Sequence, residues 1–97
     1  MFSQNHYLIR SKQDGKHLSA NPHQDTDETS MGYLLMFRED FDARSYLNKY
    51  AGDLADRFAV ESVSNTQLKS LLKRWGYLGI GLVEDPLIPR IKFLNVK

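Results

Sequence analysis

A chain of 97 residues, 41% hydrophobic and 26% charged, has the size and balance of one folded domain that buries a single core without covalent staples. With 13 Lys and Arg against 12 Asp and Glu, its net charge is +1. It therefore lacks the cationic excess of a protein built to hold a nucleic-acid backbone. The absence of cysteine excludes disulfides, thiolate metal sites and cysteine nucleophiles, and suits a reducing compartment.

The first residues, MFSQNHYLIRSK, lack the apolar stretch of a signal peptide. The apolar run Tyr33–Phe37 is far too short to cross a bilayer. The expectation is a cytoplasmic protein without a transmembrane segment.

His6-Tyr7-Leu8-Ile9-Arg10 alternates loosely and predicts a strand. Lys12-Gln13-Asp14-Gly15-Lys16 follows. Asp-Gly tolerates positive φ and predicts a hairpin turn, with His17 to Ala20 returning as a short edge strand. His6 and His17 are then candidate cross-strand neighbours. The stretch NPHQDTDETS, from Asn21 to Ser30, carries Pro22 and three uncompensated acids; it predicts a flexible polar loop over about 21–31. Its His23, with the nearby acids, matches neither a helical zinc pair nor a calcium loop.

From Gly32 to Phe37 the chain is continuously apolar, as a strand at the centre of a sheet is. Asp40 then predicts an N-cap, and Ala43, Tyr46, Leu47 and Tyr50 the inner face of a helix that Gly52 stops. Arg57–Val63 alternates as a strand, with Phe58 and Val60 on one face and Ala59 and Glu61 on the other. Ser64 and Gln67 fit a capping box. The helix they open places Leu68, Leu71, Leu72 and Trp75 on one core stripe and ends at Gly76. Its Lys69, Lys73 and Arg74 read as a solvated face; Trp75, as a core residue, does not make them a nucleic-acid surface.

From Leu78 to Val83, L-G-I-G-L-V sets Leu78, Ile80 and Leu82 on one face of a strand and Gly79 and Gly81 on the other. Glycine there marks close approach by another group, with Trp75 or Tyr77 the expected occupant. These glycines follow a helix and lie inside a strand, so they lack the strand-to-helix placement of a phosphate loop. Asp85-Pro86-Leu87-Ile88-Pro89 connects to Arg90–Phe93, an edge strand with Arg90 and Lys92 outward and Ile91 and Phe93 inward.

The predicted fold is thus α+β: a two-layer sandwich, a mixed sheet of five to six strands in the order β-β-β-α-β-α-β-β, with two helices on one face. No nucleophile elbow or other catalytic arrangement appears. The expectation is a non-enzymatic interaction or accessory module without a cofactor or metal. It would bind a protein partner or a second copy through Leu87, Ile88, Arg90 and Lys92. Two adjacent exposed apolar residues can anchor a partner. The alternative is a small-ligand-binding protein or enzyme using the strand ends near Glu84, Asp85 and Arg90, where adjacent carboxylates follow a strand.

Around Tyr33 to Glu61 the sequence LLMFREDFDARSYLNKYAGDLADRFAVESV resembles small domains of cyanobacteria and plastids that have no assigned function. In those, an apolar strand ending in Phe precedes an acidic "DA" helix start and a strand ending near "VE"; here Phe37, Asp42, Ala43, Val60 and Glu61 stand at those places. GYLGIGLV and DPLIPR match more loosely. The same region is more distantly similar to the N-terminal part of SseB-like domains. The resemblance implies a cyanobacterial or plastid setting and service to a larger assembly, and carries no active-site residue.

Overall fold

Strand β3 (Tyr33–Phe37) is buried at all five positions, and the rest of the chain is arranged to cover it. The computed structural model describes residues 5–20 and 32–95; the predicted polar loop at about 21–31, with His23, lies outside them. Strand β1 is His6–Ser11, β2 is Ser19–Ala20, helix α1 is Asp40–Tyr50, and a 3-10 helix spans Gly52–Arg57. Strand β4 (Phe58–Val63), helix α2 (Asn65–Trp75), β5 (Gly79–Asp85) and β6 (Arg90–Asn95) follow. The sheet order is β4-β1-β3-β5-β6, with β2 paired to β3. Strands β3 and β5 are parallel; the other pairs are antiparallel. The mixed sheet and the α+β class are as the sequence predicts.

The helices do not share one face. Leu8, Leu34, Met36 and Leu82 pack with Leu68 and Leu72 of α2. Their alternate neighbours Ile9, Leu35, Phe37 and Val83 pack with Ala43 and Leu47 of α1. Adjacent strand residues point to opposite faces, so one helix lies on each side of the sheet. The topology requires it. From β3 the chain crosses β1 in one direction to reach the parallel strand β4; from β4 it crosses back over β1 and β3 to the parallel strand β5. Two crossovers of the same hand that travel in opposite directions occupy opposite faces. The uncovered second face expected from the sequence is therefore largely covered.

The first hairpin departs from expectation too. Gly15 adopts φ +74°, its N–H donates to the Ser11 carbonyl at 2.9 Å, and the Asp14 carboxylate accepts from the Lys16 N–H at 3.0 Å. The returning arm is not an edge. His17 bridges Arg10, the Leu18 N–H donates to the Ile9 carbonyl on one side while the Leu18 carbonyl accepts from the Leu35 N–H on the other, and β2 pairs with β3. It is a wedge between β1 and β3, which meet directly at Tyr7 and Phe37.

Helix α1 begins one residue earlier than predicted. Glu39 is its extended N-cap and makes no side-chain cap; Asp40 instead accepts from Arg44 at 3.0 Å. At α2 the capping box forms: the Gln67 N–H donates to Ser64 Oγ at 3.2 Å and the Ser64 N–H to Gln67 Oε1 at 2.9 Å. Gly76 closes the helix in the left-handed region at φ +72°, which only glycine enters at no steric cost. The reversal corrects the assignment of Trp75 to the core: Trp75 is 42% exposed, while Tyr77, two residues on, is buried and joins Leu68 and Leu72.

Strand β6, rather than Trp75 or Tyr77, occupies the bare face of β5. A Cβ on Gly79 would run into the Leu94 carbonyl and lie 2.9 Å from Asn95 Cα. One on Gly81 would sit 3.1 Å from Leu35 Cδ2, 3.2 Å from Ile91 Cγ2 and 3.4 Å from Phe93 Cε1. The Phe93 ring meets Tyr33 edge-on, with centroids 5.1 Å apart.

Two outcomes follow for stability, both read from urea unfolding. Gly79→Val meets backbone that cannot rotate away and costs about 3 kcal/mol, whereas Gly81→Ala meets only side chains and costs about 1 kcal/mol. Ser64→Ala removes one half of the capping box and costs about 1 kcal/mol.

Candidate interaction surface

The sequence-nominated residues all fall on the β5–β6 hairpin, but they separate by role. Glu84 and Asp85 do not form an acid pair. Glu84 sits at an irregularity where pairing with β6 passes from Val83 to Asp85, and the two carboxylates have different partners. Glu84 lies 3.8 Å from Arg38, the residue that follows β3. Asp85 turns into its own loop: Oδ1 accepts the N–H of Leu87 at 2.9 Å and of Ile88 at 3.3 Å. This is the Asx arrangement by which a short side chain substitutes for a backbone turn. Both carboxylates are engaged within the fold.

That turn sets the chemistry of the tip. With their N–H groups held by Asp85, Leu87 and Ile88 present apolar side chains outward, 51% and 66% exposed. The Tyr50 hydroxyl, at the end of α1, donates to the Leu87 carbonyl at 3.0 Å. Tyr50 in turn stacks on Tyr46 and Tyr46 on Phe37, with centroids 4.7 and 5.4 Å apart, so the tip is tied to the core through three rings. Tyr50 was assigned to the inner face of α1 by its spacing; it is 46% exposed. Its hydrogen bond joins residues far apart in the chain, and no local pattern announces it.

Arg90 and Lys92 are exposed along β6, and among the described residues neither makes an ion pair. The sequence placed Ile91 and Phe93 inward. Ile91 packs on the α1-side core, whereas Phe93, although stacked on Tyr33, remains 39% exposed, and Leu94 is 41% exposed. The sequence reading ended the strand at Phe93 and so missed Leu94.

The concave surfaces lie elsewhere. One cleft, about 590 Å³, opens at the junction of β1 and β3 and is lined by Asn5, His6, Tyr7, Met36, Arg38, Glu39 and Leu82. It contains none of Glu84, Asp85 and Arg90, the charges of the ligand-binding alternative. Among the described residues no group of three His, Asp or Glu side chains is placed to hold a metal ion. No helix among the described residues is long and apolar enough to cross a membrane.

One charged cluster escaped the sequence reading. Glu61 on β4 accepts from Arg10 Nε at 2.7 Å, and its other oxygen lies 3.0 Å from His17 Nε2. His17 therefore faces Glu61 rather than His6, which pairs with Asn65 at 2.8 Å. The cluster clips β1, the β2 arm and β4 together. Burial raises the Glu61 carboxyl, but the hydrogen bonds and charges of Arg10 and His17 outweigh that and hold it below its usual value of 4.5. A carboxyl depressed on folding contributes stability that is fully present above the unfolded value and lost as pH falls through the folded one. Glu61→Gln is therefore less stable than the parent at neutral pH, by up to about 1 kcal/mol for a partly exposed pair. Urea midpoints of the two proteins should converge as the pH is taken well below 4.5.

No family model, curated protein or solved structure matches this chain.

Proposed function

We propose that this protein is a non-enzymatic interaction module that docks a protein partner with the β5–β6 hairpin. The observation that carries the reading is the tip. Leu87 and Ile88 are adjacent, apolar and more than half exposed, yet their backbone is fixed by Asp85 and Tyr50. Apolar side chains on an ordered backbone bind at low entropic cost, because little freedom is left to lose on association. The same groups explain why the ligand-binding alternative is less supported. Of its two carboxylates, Asp85 holds the loop, and Glu84 faces Arg38 of the cleft wall without itself lining the cleft.

A cytoplasmic setting accords with the near-neutral charge and the lack of cysteine. The resemblance around Tyr33 to Glu61 points to service in a larger assembly of a cyanobacterial or plastid cell.

The test is affinity capture from the native cell with the wild type and with Leu87→Asp/Ile88→Asp. Both substitutions lie in an exposed turn, so circular dichroism and the thermal midpoint should stay near those of the parent. The expected result is loss of the partners from the double variant. Recovery of the same partners in the same yield removes the anchor.

A further inference from the structure

Among the described residues β6 is an edge strand. It is last in the sheet order and pairs there with β5 only, from Asp85 opposite Arg90, across an irregularity between Asp85 and Val83, to Gly79 opposite Asn95. Alternate N–H and C=O groups of an edge strand point away from the sheet and can template another strand. The side chains alternate between the two faces. Lys92 and Leu94 stand opposite Leu82 and Ile80, on the α2 side of the sheet, and alternation puts Arg90 with them. Ile91 stands opposite Val83, on the α1 side, with Phe93 beside it over Gly81. One face of the edge thus carries two cations without ion-pair partners among the described residues, followed by Leu94, 41% exposed. The other carries two hydrophobic side chains, of which Phe93 is 39% exposed.

We infer that β6 receives an extended acidic segment of a partner as an added antiparallel strand, with carboxylates alternating with apolar residues. Strand addition takes affinity from main-chain bonds and specificity from alternate side chains. Here the carboxylates would oppose Arg90 and Lys92, and the apolar residues would extend the Ile91–Phe93 surface. A second copy of this chain fits less well, because it brings the same cations to the edge, and like charges across a strand pair are destabilising. The inference rests on the interaction reading and names its partner class.

The probe is a blocked seven-residue peptide alternating glutamate with valine, titrated into isotope-labelled full-length protein. Its controls are the same peptide with lysine for glutamate and the same peptide interrupted by proline. The expected result is saturable shifts centred on residues 90–95, slowed exchange of β6 amides, and no binding of the proline peptide. Arg90→Glu/Lys92→Glu should weaken the glutamate peptide by about tenfold, from two cross-strand ion pairs turned to repulsion, and favour the lysine peptide. Absence of saturable shifts in β6, equal binding of the glutamate and lysine peptides, or β6 protection that grows with protein concentration alone each overturns the inference. The last outcome would identify a second copy as the occupant. Leu87→Asp/Ile88→Asp leaves the β6 edge intact, so peptide affinity should stay within twofold. Peptide binding together with undiminished partner capture by that variant would sink the tip anchor while supporting strand addition. Lost capture with no peptide binding would sink strand addition alone.

Discussion

A five-residue strand whose only polar side-chain group is the Tyr33 hydroxyl, which donates to Asn95 Oδ1, cannot leave either face in water, and β3 imposes that condition on the rest of the fold. Tyr33, Leu35 and Phe37 need cover on one side, Leu34 and Met36 on the other. Two helices of eleven residues meet the demand only by separating. The alternating directions of the two crossovers separate them, as the shared hand of strand–helix–strand connections dictates. Burial of the central strand, the opposite placement of the helices and the sheet order are one constraint seen at three scales.

Much of this is legible in the residues. The capping box at Ser64 and Gln67, the Gly76 terminus, the Asp14-Gly15 turn and the paired glycines of β5 are local features, and each forms where local chemistry says it should. The errors arise where a residue's fate depends on something distant. Trp75 continues an apolar stripe, but the reversal at Gly76 delivers Tyr77 inward and leaves the tryptophan outside. The His17–Ala20 arm has the length of an edge strand, but an edge position depends on what lies beyond, and here β3 does. The helices were assigned to one face although the doubly apolar β3 already asked for two covered faces.

The same division runs through the candidate surface. Leu87 and Ile88 could be picked out because prolines bracket them. The turn chemistry of Asp85 was readable in principle, since an aspartate before a proline commonly bonds backbone two residues on. A paired-carboxylate arrangement with Glu84 does not form, because Asp85 turns into its own loop and Glu84 toward Arg38. The clip formed by Arg10, His17 and Glu61, and the Tyr50 brace, join segments distant in sequence and leave no periodic trace. What the core leaves at the surface here is an ordered apolar tip and a sheet edge whose two cations have no ion-pair partner among the described residues.

The sheet's connectivity has a kinetic corollary. Strand β1 finds β4, and β3 finds β5, from opposite halves of the chain, whereas β5 and β6 are joined by a four-residue turn. Loop closure favours the nearest contacts first, so the β5–β6 hairpin can exist before β3 arrives to complete it. During that interval the nascent ribbon has two open sides. Like charges brought strand against strand are destabilising, so Arg90 and Lys92, exposed along β6, disfavour pairing between two such ribbons while the parallel partner is still being sought.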